Sequence, residues 1–290
     1  MPETILSEFI GYAAVLVLAV VAFGAVPALA DFLVRRQRKR FGAWFDAGAE
    51  AYAEEAADDP WKADLAEAWE KEVVRLAADG SLDAGQLERA AGLLGTRLEG
   101  CAPRPRTAFI EADPIYHVLL PIAAPAGAVA VFATTRLLGA TLPAAAVLLI
   151  AALGLCAAIT DVRDRVIPDA LVAALCAAGV LLRAACGQLG ELAALAAAAV
   201  LAVAAACGIN ALHARRHPGE RAIGGGDVKA LAALVACSGS HGLLWACAAM
   251  AAAAAAHASC RRIARGRWDK LPLGPSLAAA LTIGAIASAL

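Results

Sequence analysis

The sequence predicts an all-α fold: a polytopic membrane bundle of about eight transmembrane helices, with a small helical cytoplasmic segment after the first span. Three observations carry this. Apolar residues make up 61% of the 290-residue chain and charged residues only 18%, with a mean hydropathy of +0.68, far from the balance of a soluble domain. The apolar residues gather in blocks of about 20, the length that crosses roughly 30 Å of hydrocarbon. Lys and Arg fall in short clusters between those blocks, on one predicted side of the membrane.

Taken in order, the spans are 9–33, 115–137, 141–160, 167–186, 190–212, a short one from Asp227 to about Cys237, 240–260 and 272–290. No basic run precedes the first, so no signal peptide is predicted. The clusters 35–40 (RRQRKR), 161–165 (DVRDR), 215–221 (RRHPGER) and 261–270 (RRIARGRWDK) all fall on the cytoplasmic side of this count. Only Arg136 and Arg183 come near the outer face, and both termini lie outside. The chain thus divides into a first helix (1–33), a cytoplasmic segment with linker (34–114) and a membrane core (115–290).

Within the cytoplasmic segment, Asp59-Pro60 reads as an N-cap followed by Pro at the first helical position. It opens a helix that Gly80 stops, and a second helix follows over 83–99, then a Pro/Arg linker at 101–107. The stretch 79–88 (DGSLDAGQLE) imitates half of a calcium loop, but Arg75, Ala77 and Gln86 stand where acidic ligands belong. The eight cysteines include no C-x-x-C pair and mostly lie in apolar runs, so neither zinc nor a disulfide framework is expected. A net charge of −1 gives no pull towards nucleic acid.

Two stretches carry chemistry. In 158–172 (AITDVRDRVIPDALV), Asp161 closes the third span and Ile167-Pro168-Asp169 opens the fourth. In 221–234 (RAIGGGDVKALAAL), Gly224, Gly225 and Gly226 precede Asp227 at the mouth of an apolar helix. The predicted topology puts Asp161 and Asp227 at the same depth, at the cytoplasmic edge. Two carboxylates at a semi-dry site can share a proton, one activating water and the other protonating a scissile carbonyl. Ionisable residues in membrane segments are costly and are functional candidates for that reason. Either Asp alone would read as a helix cap; the matched depth of the two raises the catalytic reading. The glycines would let an extended peptide lie close to the acid.

These stretches resemble known proteins. GGGDVK resembles the G-x-G-D signature of intramembrane aspartic proteases, DVRDRVIPD the D-x5-[IL]-P-[ND] element of bacterial type IV prepilin peptidases, and LPLGPSLAAALTIG (271–284) the Pro-x-Gly-Pro opening of that family's last span. The resemblance covers 115–290 and implies Asp161 and Asp227 as the catalytic pair. It adds Pro168, Asp169, Lys229, Pro272, Gly274 and Pro275 as supporting residues, beside the three glycines.

It implies a membrane aspartic endopeptidase that cuts the leader of a prepilin or pseudopilin at the cytoplasmic edge of a bacterial plasma membrane, with no cofactor and no metal. Lipid and the pilin are the expected partners. The segment 34–114 holds only Cys101, so the two C-x-x-C pairs of the bifunctional, N-methylating members are missing. Two rival readings are a bifunctional enzyme using S-adenosylmethionine and a non-catalytic component of a pilus or secretion system.

Simpler roles fit the remaining polar residues. Asp164 reads as a solvated loop acid and Asp169 as a first-turn helix acid; Lys229 could reach for head groups, but a role near the site is the reading preferred for it. His213 and His217 are loop residues without a nucleophile nearby, and His117 and His257 sit at span edges.

Overall fold

Long alanine- and leucine-rich runs favour helix over every alternative once backbone groups must be satisfied away from water, and α1 keeps its helix even across Pro27. The computed structural model describes residues 2–54, 59–78, 82–101, 133–139, 141–164, 166–216, 225–265 and 273–290, and every regular element among them is helical. The main helices are α1 (Pro2–Ala53), α2 (Pro60–Ala78), α3 (Ala84–Leu94), α4 (Leu142–Asp164), α5 (Asp169–Ala185), α6 (Leu192–Arg216), α7 (Gly225–Arg265) and α8 (Gly274–Ala289). The chain is an all-α membrane protein. Segments in α4, α6 and α7 are long and apolar enough to cross a bilayer, and α8 is a shorter apolar helix.

The chain forms two compact units, Met1–Val34 with Asp113–Leu290, and Arg35–Ala112. In the first, α8 packs against both α4 and α7, α5 lies against α4 and α7, and α6 lies against α7. Their shared core joins Val26, Ala30 and Leu33 of α1 to Ile150 and Cys156 of α4, Leu171 and Leu175 of α5, Leu234 of α7 and Leu281 of α8. Small residues bring the backbones close, the usual device where lipid removes any hydrophobic drive between helices. Cys237 of α7 donates its thiol to the Leu175 carbonyl of α5 at 3.3 Å.

In the second unit, Asp59 and Asp83 start the helices. The Asp59 carboxylate accepts the Trp61 N–H at 3.0 Å. Asp83 and Gln86 exchange side-chain-to-backbone bonds, a complete capping box. That engagement gives the imitation calcium loop a structural role. The core is Phe45, Ala49, Trp69, Val73, Leu82, Leu87, Ala90 and Leu94, with the Phe45 and Trp69 rings edge to face at 5.6 Å.

Three expectations are modified. Helix α1 does not stop at residue 33 but continues through the basic run 35–40 to Ala53, because Arg, Gln and Lys sustain a helix and neither Gly42 nor Gly48 beyond the run ends it. The second helix predicted within 34–114 ends as an α-helix at Leu94 and tightens into a 3-10 turn, Gly95–Leu98. The spans predicted at 227–237 and 240–260 meet at one non-helical residue, Gly239 (φ 61°, ψ −173°), with no loop between. Most of the span predicted at 115–137 falls outside the described residues; 133–138 are helical.

Candidate active site

At the end of α4, the chain runs one turn beyond Asp161 to Asp164, then turns through 166–168 into α5. Pro168 is the N-cap residue of α5 in extended conformation, and its carbonyl accepts the Leu171 and Val172 N–H groups at 2.9 and 3.2 Å. Proline suits this position because it needs no donor there. Asp169 follows as the first helical residue.

Asp161 is 5% exposed. Its Oδ2 accepts the backbone N–H of Gly274 at 2.7 Å. Gly274 opens α8, so the donor is one of the orphan amides at a helix N-terminus, the end where the macrodipole favours an acidic oxygen. The approach needs glycine: a methyl on Gly274 would sit 2.7 Å from Asp161 Cβ and 2.9 Å from the Ala157 carbonyl oxygen. Pro275, next in the first turn of α8, starts that helix without wanting a partner for its nitrogen. The Thr160 hydroxyl donates to Ala157 O at 3.0 Å.

Asp227 lies in the first turn of α7 and is half-buried. Gly226 before it lies close to Ile167: a methyl added there would stand 3.5 Å from the Ile167 nitrogen, ordinary van der Waals distance. Two residues on, Lys229 Nζ donates to Asp169 Oδ1 at 2.7 Å, both side chains more than half exposed. The turn after α4 is therefore in contact with the start of α7, and the start of α8 closes on Asp161. Asp161, Gly226, Asp227, Lys229, Pro168, Asp169, Gly274 and Pro275 come to one end of the bundle.

Gly225 is helical, while Gly224 and Pro272 lie outside the described residues. His213 stands near the end of α6; His117 and His217 fall outside the described residues. Among the described residues, no cluster of three His, Cys, Asp or Glu side chains could hold a metal ion.

One end of the helical bundle thus holds a buried acid, Asp161, and a half-buried one, Asp227, beside glycines and helix starts. Residues 146–259 match the type IV leader peptidase family. The match runs from within α4 to Ser259, short of the end of α7, and takes in Asp161, Pro168, Asp169, the GGGD stretch and Lys229. The matched segment stops short of α8, so the bond from Gly274 to Asp161 ties that segment to a helix beyond it. No curated protein and no solved structure gave a significant match.

Two features escaped sequence reasoning. The capping box at Asp83 had a readable signal, an Asp followed three residues on by Gln. Arg183 stood out only as a topology mark near the outer face, whereas it is wholly buried. The signal was there too, a single cation inside an apolar run (VLLRAAC, 180–186).

Proposed function

We propose that the chain is a membrane-embedded aspartic endopeptidase that removes the leader of type IV prepilins or pseudopilins. In this reading Asp161 and Asp227 form the catalytic pair, at the cytoplasmic edge of a bacterial plasma membrane. One carboxyl group holds the proton while the other draws a proton from water; that water attacks the scissile carbonyl and the acid protonates its oxygen. The reaction requires neither metal nor cofactor. Gly224, Gly225 and Gly226 would let the extended leader lie along Asp227, and Lys229, Asp169, Pro168, Pro272 and Pro275 would frame the site.

The observation that carries this reading is the buried Asp161 carboxylate, fixed by a helix-start amide at the same end of the bundle as Asp227, inside a segment matching the leader peptidase family. The basic clusters at 35–40, 161–165, 215–221 and 261–270 support a cytoplasmic orientation of that end. The segment 34–114 is proposed as a cytoplasmic unit outside the protease core of 115–290.

The test is co-expression with a prepilin, comparing the native chain with Asp161→Asn and Asp227→Asn. Both variants are expected to leave the precursor uncut while accumulating normally. A shorter product in either one removes the pair from the mechanism.

A further inference from the structure

Arg183 occupies the last turn of α5 and is fully buried. Its Nη1 donates to Gln188 Oε1 at 2.5 Å and its Nη2 to the Cys237 carbonyl at 3.5 Å, while Nε has no partner. Its guanidinium and the Ser288 hydroxyl of α8 both pack onto Gly239, where α7 breaks. A break in a helix strands carbonyls on one side and N–H groups on the other. Here both sides are answered from one short stretch: Arg183 takes the Cys237 carbonyl before the break, and Glu191 accepts the Ser240 N–H at 3.5 Å and hydroxyl at 3.0 Å after it. Residues 183–191 thus clasp the two ends of the interruption.

We infer that this clasp is a positioning device for Asp227: Arg183 and Glu191 set the tilt of the α7 segment that carries the acid. The inference rests on the proposed catalytic role of Asp227. From Gly239 back to Asp227 the helix spans on the order of 18 Å. A tilt of about 10° at the break would therefore move Asp227 by roughly 3 Å, where catalytic groups must be held to about 0.5 Å. A charged group is costly to bury in a membrane segment, and packing alone could be met by Leu or Met. A cation that caps a carbonyl at a glycine break supplies direction, which an apolar side chain cannot.

The test uses the full chain in detergent with a prepilin that the native chain cuts. Arg183→Met and Glu191→Ala are expected to lower kcat on the order of 10- to 100-fold with KM within about twofold. Arg183→Lys should recover part of the loss, because its amine still reaches one acceptor. The double variant should lose less than the product of the two single losses, since both act on one break. Hydrogen exchange gives a second readout, independent of catalysis: amides of 225–240 should exchange faster in both single variants, with those of 142–160 unchanged.

Unchanged exchange in 225–240, a kcat within twofold of native, or a rise in KM alone would overturn the clasp. If Arg183→Met fails to accumulate, Glu191→Ala and Ser240→Ala, which alter exposed or half-exposed groups, carry both readouts. Asp161→Asn and Asp227→Asn run alongside keep the two ideas apart. Cleavage surviving in either sinks the aspartic pair, whereas a dead pair with unaltered clasp variants sinks only the clasp.

Discussion

The amide of Gly274 donates to the carboxylate of Asp161 at 2.7 Å, across 113 residues of sequence. One bond thereby joins the beginning of the last helix to an acid near the end of α4. Asp161 is a residue whose side chain has little access to water, so the backbone donor replaces hydration that burial removes.

Gly274→Ala follows directly. The added methyl would lie within 3 Å of Asp161 Cβ, Ala157 O and Ala158 Cα. Two of these three are backbone atoms and cannot swing aside. The expected outcome is a stability loss of about 1–3 kcal/mol, read by thermal unfolding in detergent, and a fall in prepilin cleavage on the order of 100-fold as Asp161 shifts. Cleavage at the native rate would show that the close approach does not matter.

The Lys229–Asp169 pair supports a weaker expectation. Both partners are more than half exposed, so the pair contributes no more than about 1 kcal/mol and is screened by salt. Lys229→Met and Asp169→Asn should each change unfolding slightly and equally, and the double variant no further. If Lys229→Met alone abolishes cleavage, the amine acts on substrate and the ion pair is incidental.

In the 35–112 unit, stability depends on one aromatic residue and one cap. Trp69→Ala removes a fully buried ring from between Phe45 and Tyr52 and should cost about 3–5 kcal/mol. Asp83→Ala opens the capping box and should cost about 1 kcal/mol. Limited proteolysis of the full chain, with cleavage mapped to 35–112, reads both; the larger loss must belong to Trp69.

The exposed ion pairs of that unit have a pH signature whose sign is fixed. The ammonium of Lys71 holds the Glu67 carboxyl below its usual range, so the folded state gains while Glu67 is ionised. That gain is present above the ordinary carboxylate pKa and lost as pH falls through the lowered one. Lys62 is raised by its hydrogen bond to Glu54 and by that carboxylate's charge, so its gain is present below the ordinary lysine pKa and lost as pH rises through the raised value. Both groups are fully exposed, so the effects should be small and should vanish in concentrated salt. Proteolytic susceptibility of 35–112 against pH, at low and high salt, measures this.

Much of the bundle was legible because hydropathy and breaker residues act locally. The predicted span at 167–186 became Asp169–Ala185, and that at 272–290 became Gly274–Ala289. The helix start at Asp59-Pro60 stands where its cap placed it.

Elsewhere composition changed without conformation changing. The basic run 35–40 turns the composition from apolar to charged, but nothing in its backbone preference ends a helix, so α1 passes through it. The bond from Gly274 to Asp161 and the burial of Arg183 arise from packing between distant helices, which periodicity does not encode. For the candidate site, residue types were readable and their partners were not: Lys229 pairs with Asp169 across 60 residues.

Helix α6 touches its own bundle mainly along α7, and only a small share of its apolar stretch is buried. Val200, Leu201, Ile209 and Leu212 all face outwards. For a helix bathed in acyl chains, selection acts on oiliness more than on identity. Exchanges among Ala, Val, Leu and Ile on that face should therefore be tolerated, where the same exchanges between α4, α7 and α8 would disturb close packing.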